Sequence, residues 1–187
     1  MQYRVVYADP PWQFSSRQLQ KADGVRFHSL HEEYPTMTPD EICSLDVSSL
    51  CENDAALFLW TTDAHLPLAL DVMRAWGFKY STVGFVWVKY NAGGKPRTTV
   101  APWTIKSCEL CLFGTRGQML KYKQANNVRQ LIECPVTRHS SKPYETRQRI
   151  ERLFGDVPRL ELFARFKAPG WDVWGNEVKS NVSLGGS

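Results

Sequence analysis

The chain has 187 residues and a net charge of +4, with 43% hydrophobic and 22% charged residues. These proportions are typical of a soluble globular protein and predict one domain with a substantial core. No apolar stretch reaches the length of a membrane span, and the first residues do not form a signal peptide, so membrane and secreted proteins are disfavoured. The five irregularly spaced cysteines indicate a reducing compartment, and we expect the protein to be cytoplasmic.

The first element is a buried strand whose last residues, 5–7, are apolar and which ends just before Asp9. Two prolines and Trp12 follow. Proline can neither continue a strand ladder nor lie inside a helix, so the backbone must leave the sheet in a rigid, extended turn. Open α/β sheets bind ligands at the carboxyl ends of their strands. The stretch therefore predicts a site that offers the Asp9 carboxylate, the Pro10 carbonyl and the Trp12 ring to a planar group bearing an amine.

Beyond this turn, strand and helix patterns alternate. Residues 13–36 lack periodicity and predict a long loop, after which Thr38, Pro39 and Glu41 form a capping box that begins a helix. The further elements predicted in chain order are a helix over 39–50, a strand over 55–62, a helix over 66–76 that ends at Gly77, strands over 80–90 and 108–115, a helix over 143–154, a strand over 160–165 and a strand and turn over 170–177. This alternation predicts an α/β fold with a mainly parallel sheet and helices on both faces.

The remaining segments predict no regular structure. Residues 91–104 form a second long loop, and residues 117–141 are irregular and polar. We expect a single domain over residues 1–178 and a disordered tail over residues 179–187. Two basic runs without acids, 89–106 and 116–129, are typical of solvated faces, and both are predicted to flank the candidate site.

Two common signatures of bound groups are weak or missing. Cys108 and Cys111 form a C-x-x-C, but they lie within a strand pattern without a second pair, and His28 and His31 lie in a loop without further ligands. Neither pair favours a zinc site. A Gly-x-Gly-x-x-Gly fingerprint is absent, so a nucleotide-like cofactor would need another mode of binding.

The stretch Asp9-Pro10-Pro11-Trp12 resembles the catalytic motif of the MT-A70 family of S-adenosylmethionine-dependent adenine N6-methyltransferases. Further stretches match in the family's order: Tyr34-Pro35-Thr36-Met37, Leu57–Thr62, Trp87-Val88-Lys89, Trp103, Glu109-x-Cys111-Leu112 with Gly114, Arg138–Pro143, Glu161–Arg165 and Trp174–Glu177. The resemblance covers about residues 3–178. It implies a Rossmann-like methyltransferase fold in permuted order, with the catalytic motif first and the cofactor strands last.

The resemblance also implies catalytic roles for the first motif. The exocyclic amine of adenine is a poor nucleophile because its lone pair is delocalised into the ring. Asp9 and the Pro10 carbonyl would each accept one of its N–H groups, and Pro11 belongs to the same rigid turn. Trp12 would stack on the flipped or unpaired base. Direct methyl transfer requires no metal.

The cofactor implied by the resemblance is S-adenosylmethionine. Lys142 would lie near its methionine carboxylate and Asp9 near its ammonium group. The residues implied around its ribose and adenine are Glu161, Phe163, Arg165, Asn176 and Glu177.

The partner implied is a nucleic acid, with DNA favoured over RNA. Besides Trp12, the residues implied to bind it are Tyr34, Lys89 and Trp103 beside the two long loops, with Lys95, Arg97 and Lys106 as phosphate contacts. Core or rim packing is the alternative for Tyr34, Lys89 and Trp103. A homo-oligomer or a partner subunit stays open. Two other functions also stay open: a catalytically idle family member that serves as a nucleic-acid-binding or scaffolding subunit, and a cytosine N4-methyltransferase.

Overall fold

The computed structural model describes residues 2–13, 35–101, 103–136 and 141–185. Predictions that fall outside these residues concern most of the long loop predicted over 13–36, including the substrate contact of Tyr34 and the loop histidines His28 and His31. Residues 138–140 of the matched series also lie outside them.

Seven strands and three helices form within the described residues. The strands are β1 (Tyr3–Ala8), β2 (Cys51–Thr61), β3 (Lys79–Tyr90), β4 (Cys108–Arg116), β5 (Leu131–Pro135), β6 (Arg159–Leu162) and β7 (Asp172–Trp174). The helices are α1 (Pro39–Ser44), α2 (Leu66–Ala75) and α3 (Tyr144–Phe154). Short 3₁₀ turns span Ser48–Leu50, Asp63–His65 and Met119–Tyr122. None of the helices described is long and apolar enough to cross a membrane.

All seven strands join one sheet in the order β5-β3-β4-β2-β1-β6-β7. β1 pairs in parallel with β2 and β6, and β6 with β7, whereas β4 runs antiparallel to both of its neighbours. The predicted α/β fold with a mainly parallel sheet is confirmed, and it is consistent with a Rossmann-like methyltransferase fold. The first strand of the chain lies beside β6, so the carboxyl ends of the first and the last strands meet at one edge.

The sheet separates two hydrophobic cores, one on each face. Val6 and Ala8 of β1 join the core that includes α1 and α2, whereas Val5 and Tyr7 join the core that includes α3. All four side chains are at most 1% exposed. Burial on both faces makes β1 a central strand and holds the residue that follows it, Asp9, in a fixed position.

Helix α1 begins as predicted but ends early. The Thr38 hydroxyl accepts the Glu41 N–H at 3.2 Å, and the Glu41 carboxylate accepts the Thr38 N–H at 2.7 Å, which completes the capping box. The prediction of a helix to residue 50 is wrong, because α1 ends at Ser44. Asp46 accepts the N–H of Ser49 at 3.2 Å, and such side-chain bonds compete with the helical backbone pattern.

Helix α2 ends at Ala75, and Gly77 terminates it as predicted. Gly77 has φ +80°, its N–H donates to Arg74 at 3.0 Å, and the N–H of Phe78 donates to Met73 at 2.8 Å. This pair of bonds is a Schellman cap, which favours glycine because the left-handed conformation is unstrained without a Cβ.

Strand β5 lies in a region predicted to be irregular, so that prediction is wrong. It pairs in parallel with β3 at the edge of the sheet, with Val86 opposite Leu131. Its side chains alternate in exposure, and Ile132 is the one that is fully buried within the strand. A five-residue edge strand leaves a weak hydrophobic pattern, so the contact with β3 rather than the local sequence determines its conformation.

The described part of the predicted disordered tail contacts β7. The N–H of Asn181 donates to the Val173 carbonyl at 2.8 Å, and the Asn181 side-chain oxygen accepts the Val173 N–H at 3.1 Å. Val182 and Leu184 pack against the core on the α1 and α2 face. The described residues of the tail thus contact both β7 and the core, and its disorder stays a prediction.

Candidate active site

The catalytic turn, defined as residues 9–13, leaves the sheet at the carboxyl end of β1. The Pro10 carbonyl accepts the N–H of Trp12 at 2.9 Å, and the Pro11 carbonyl accepts the N–H of Met37 at 2.9 Å. Gln13 donates its N–H to the Met37 carbonyl at 3.2 Å. The turn is therefore rigid both because of its prolines and because it pairs with the segment that precedes α1.

Asp9 is the first member of a chain of alternating charges. Lys142 places its ammonium 2.8 Å from the Asp9 carboxylate and 3.2 Å from the Glu109 carboxylate. Glu109 also pairs with Lys89. The four residues come from the turn after β1, the segment before α3, β4 and β3, so the tertiary fold brings these charges together.

Burial and mutual attraction set the ionisation of this chain. Burial raises the pKa of Asp9, and Lys142 opposes the rise without cancelling it. Burial alone would lower the pKa of Lys142, but Asp9 and Glu109 outweigh it and raise that pKa above its ordinary value. Burial would raise the pKa of Glu109, but Lys142 and Lys89 outweigh it and lower that pKa. Lys142 is therefore held as a cation between two carboxyl groups.

A cavity of about 470 Å³ opens beside this charge chain. This volume lies within the range of small-molecule sites, about 300–1,000 Å³. The lining comes from the catalytic turn, the segment before α1, the ends of β2, β4, β6 and β7, and Lys142: Asp9–Trp12, Pro35–Met37, Trp60–Thr62, Glu109, Lys142, Phe163–Arg165 and Trp174–Glu177. The cavity thus lies at the carboxyl ends of the first strand, β1, and the last strands, β6 and β7.

The wall formed after β6 and β7 is tightly packed. Phe163 adopts φ +59°, a left-handed conformation that side chains other than glycine rarely take, and its ring meets Trp174 edge to face at 5.3 Å. The N–H of Ala164 donates to the Trp174 carbonyl at 2.9 Å, and a Cβ at Gly175 would collide with the backbone of Ala164. Strained backbone of this kind clusters at ligand sites.

Most of the residues predicted to bind the cofactor line the cavity: Asp9, Lys142, Phe163, Arg165, Asn176 and Glu177. Arg165 and Glu177 form an ion pair at 3.7 Å. The cavity lining therefore includes two cations, Lys142 beside β1 and Arg165 after β6.

Glu161 differs from the other members of the predicted cofactor set, because it does not line the cavity. It is 5% exposed and forms two hydrogen bonds with Arg147 of α3, one of them at 2.8 Å. It lies opposite Tyr7 in the sheet, whose side chain belongs to the core on the α3 face. Strand alternation thus points Glu161 towards α3 and away from the cavity, and its cofactor contact stays a prediction.

Trp12 lines the cavity but is only 7% exposed. Its indole N–H donates to the Trp60 carbonyl at 3.0 Å, and its ring stacks on His65 at 5.6 Å between centroids. One ring face is therefore covered by protein. The stacking of Trp12 on a base stays a prediction, and it concerns the other face and the edge of the Trp12 ring.

The predicted nucleic-acid residues divide into two groups. Lys89 belongs to the charge chain and pairs with Glu109. Lys95, Arg97 and Trp103 lie in an exposed hairpin-like segment, described over residues 91–101 and 103–107. None of these described residues lines the cavity. This segment pairs with itself between Thr99 and Lys106, whose backbones exchange hydrogen bonds at 2.7 and 2.9 Å, and Trp103 is 96% exposed.

The prediction that both basic runs flank the site is correct for the first run and wrong for the second. β4 is antiparallel, so it starts beside the cavity, with Leu110 opposite Thr61, and ends at Arg116 opposite Ala55 at the far edge of the sheet. The run from Arg116 therefore starts away from the cavity, where Lys121 pairs with Asp54.

Sequence reasoning assigned no role to two residues of this site, Glu109 and His65. Glu109 occurs in a matched stretch, and a lone acid at the start of an apolar strand was an available signal. His65 carries no such signal, because its importance comes from contacts with Trp12 and Gln13 that depend on the fold.

A mainly parallel sheet with a rigid acidic turn after its central strand, facing a cavity bounded by its last strands, is consistent with a Rossmann-like methyltransferase fold. The model of the MT-A70 family matches residues 3–177. The chain belongs to the MT-A70 family and is a methyltransferase.

Curated relatives agree with this assignment. The chain is 33% identical to the type II methyltransferase M.MunI of a Mycoplasma species, over 96% of this chain and 79% of that protein. It is 30% identical to the human N(6)-adenosine-methyltransferase catalytic subunit METTL3, over 94% of this chain and 28% of that protein. It is 31% identical to the MT-A70-like N(6)-adenosine-methyltransferase of Arabidopsis thaliana, over 94% of this chain and 24% of that protein. The chain thus spans about a quarter of the length of the last two relatives.

Proposed function

We propose that the protein transfers a methyl group from S-adenosylmethionine to the exocyclic amine of adenine in nucleic acid. One observation carries the proposal. A half-buried carboxylate, Asp9, and a proline carbonyl, Pro10, lie together on a rigid turn in the wall of a cavity that has the size of a ligand site.

The two acceptors suit an amine that must become more nucleophilic. Asp9 would accept one N–H and the Pro10 carbonyl the other, which draws electron density onto the nitrogen as it becomes tetrahedral. The Pro10 carbonyl already accepts the N–H of Trp12 at 2.9 Å, and its second lone pair can accept the amine. These hydrogen bonds strengthen as positive charge develops on the nitrogen, so they favour the transition state over the bound substrate.

The cavity fits S-adenosylmethionine in volume and in charge. Lys142, held as a cation, would bind the carboxylate of the methionine part, and Asp9 would accept from its ammonium. Phe163 offers an apolar surface for the adenine, and Arg165, Asn176 and Glu177 line the wall where the ribose would lie. When bound, the cofactor supplies an electrophilic methyl group on a sulfonium.

Nucleic-acid binding would use the exposed segment 91–107. Lys95 and Arg97 can contact phosphates, and Trp103, which is 96% exposed, can stack on an unpaired base. The base must leave a duplex before its amine can reach Asp9. We place DNA before RNA, because the relatives named for adenosine, a ribonucleoside, match this chain over about a quarter of their own length. M.MunI, which is not named for a ribonucleoside, matches over 79% of its length.

A direct assay tests the function. The protein is incubated with S-adenosylmethionine labelled in the methyl group and with single-stranded DNA, double-stranded DNA or RNA, and the digested product is separated into nucleosides. We expect N6-methyladenine in DNA. Label in N4-methylcytosine would favour the cytosine alternative, and cofactor binding without any product would favour the idle scaffold.

The Asp9→Ala variant tests the catalytic role. We expect methyl transfer to fall by about 10²–10³-fold or more, the usual effect of removing a group that stabilises transition-state charge. The affinity for S-adenosylmethionine, measured by calorimetry, should fall much less, because Lys142 and the wall after β6 remain. Asp71→Asn, an exposed carboxylate on α2, is the control. Unchanged turnover of Asp9→Ala would contradict the mechanism.

A further inference from the structure

We infer that His65 is a positioning residue for methyl transfer. Its contacts with Trp12 and Gln13, called the His65 clasp below, hold the catalytic turn in place and so fix the direction of the Pro10 carbonyl. This inference rests on the proposed function of that carbonyl. His65 ends the 3₁₀ turn that follows β2 and is 1% exposed. It does not line the cavity, so it would act through its neighbours.

The first contact of His65 is with the ring of Trp12. The two rings are 5.6 Å apart between centroids and inclined by 20°, which is a stacked arrangement. The indole N–H of Trp12 donates to the Trp60 carbonyl at 3.0 Å, at the end of the same β2 strand. The stacking on His65 and the hydrogen bond to Trp60 together restrict the Trp12 ring to a single orientation.

The second contact of His65 is with the backbone of the turn. Its Nε2 lies 3.2 Å from the Gln13 carbonyl, and its Nδ1 lies 2.8 Å from the Thr62 hydroxyl. A carbonyl can only accept, so Nε2 carries the proton and donates to Gln13. In the neutral ring Nδ1 then accepts from the Thr62 hydroxyl. Burial lowers the pKa of His65, which favours this neutral form.

These two contacts enclose the backbone between Trp12 and Gln13. The N–H of Trp12 donates to the Pro10 carbonyl at 2.9 Å, so the position of Trp12 sets the direction of that carbonyl. Gln13 in turn pairs with Met37, whose own N–H donates to Pro11 at 2.9 Å. His65 therefore holds the one end of the turn that the prolines do not constrain.

The consequence for catalysis is geometric. An acceptor displaced by about 1 Å can cost about 10²-fold in rate, even where the change is remote from the reacting atoms. Without the His65 clasp, the Pro10 carbonyl can move with Trp12. We expect Asp9 and Lys142 to be unaffected, since they are held by β1 and by their own ion pair.

The test compares His65→Ala and His65→Phe with Val72→Ala. Val72→Ala removes a fully buried side chain on α2 and controls for a general loss of stability. We expect His65→Ala to lower kcat by about 10²-fold at a temperature where all variants are folded, with an unchanged Kd for S-adenosylmethionine. His65→Phe, which keeps a ring against Trp12 but loses the bond to Gln13, should recover part of this loss. Val72→Ala should keep the kcat of the wild type.

A second measurement does not depend on activity. Hydrogen exchange reports the protection of the Trp12 and Met37 amides, which donate to Pro10 and Pro11. We expect both to lose protection in His65→Ala and to keep it in Val72→Ala. If the Trp12 and Met37 amides stay protected in His65→Ala, the His65 clasp does not exist. If they lose protection while kcat is unchanged, the clasp exists but has no role in catalysis. If the wild type methylates no substrate while His65→Ala loses protection, the proposed function fails and the clasp stands.

Discussion

Lys142 contacts two carboxylates at once, and through it the ionisation of Asp9 depends on Glu109. Glu109 raises the pKa of Asp9 by its negative charge, whereas Lys142 and Arg165 lower it. Glu109 also shares the ammonium of Lys142 with Asp9. Glu109, a residue on β4, thus influences the pKa of Asp9, the acceptor that follows β1.

The Glu109→Gln variant tests this coupling. We expect the acid limb of kcat against pH to move to lower pH, since removing the charge of Glu109 lowers the pKa of Asp9 and leaves Lys142 to pair with Asp9 alone. Asp9 then stays ionised, and able to accept, to a more acidic pH. Methyl transfer at saturating substrate, measured from pH 5 to 9 in both proteins, checks the shift.

Glu133→Gln is the matched control for that experiment. Glu133 lies on β5, accepts from the Tyr90 hydroxyl at 3.0 Å and does not line the cavity. Its variant should keep the pH profile of the wild type. An acid limb that moves to higher pH in Glu109→Gln would argue against the coupling.

Helix α1 connects capping and catalysis at the scale of secondary structure. Its N-cap, Thr38, directly follows Met37, which pairs with the catalytic turn through Pro11 and Gln13. The capping box therefore fixes the start of the helix next to the segment that supports the turn. This explains why a helix of only six residues is well defined at its first end.

The Thr38→Ala variant tests the contribution of the cap. We expect the free energy of unfolding to fall by about 1 kcal/mol, because the Glu41 N–H loses its acceptor. Urea unfolding followed by circular dichroism measures the change. Ser44→Ala removes a hydroxyl at the other end of α1 and should change stability by less than about 0.5 kcal/mol. Equal losses in the two variants would show that the cap makes no special contribution.

At the scale of the whole molecule, one buried ion pair joins α3 to the sheet. Arg147 and Glu161 are each at most 5% exposed, and the Arg147 guanidinium lies over the rings of Tyr7 and Phe166. Burial raises the pKa of Glu161, and Arg147 opposes that rise. Each charge therefore needs the other, because either one alone would be buried without compensation.

The Glu161→Gln variant separates a structural role from a cofactor contact. We expect a loss of about 3–5 kcal/mol in the free energy of unfolding, the cost of leaving Arg147 uncompensated. At a temperature where the variant is folded, its Kd for S-adenosylmethionine should match that of the wild type. Glu145→Gln removes an exposed partner of Arg149 and should cost less than about 1 kcal/mol. A weakened Kd with little loss of stability would instead support the predicted cofactor contact of Glu161.

Local chemistry made much of this protein predictable from its sequence. Two prolines after a buried strand require a rigid turn at Asp9 wherever the chain goes next, and the Thr38 and Gly77 caps act over a few residues. The alternation of strand and helix patterns predicted a mainly parallel sheet, because parallel strands are joined by crossover helices that cover the faces of the sheet. The cavity-lining set of Lys142, Phe163, Arg165, Asn176 and Glu177 came from the family resemblance.

The remaining features depend on which residues the fold brings together. The antiparallel direction of β4 places Glu109 beside Lys142 and carries the second basic run away from the cavity. The register of β6 against β1 points Glu161 to α3, and edge pairing with β3 forms β5. His65 meets Trp12 only because β2 ends next to β1. Each of these is a contact between segments distant in sequence, which local pattern cannot encode, and so the tertiary structure alone determined them.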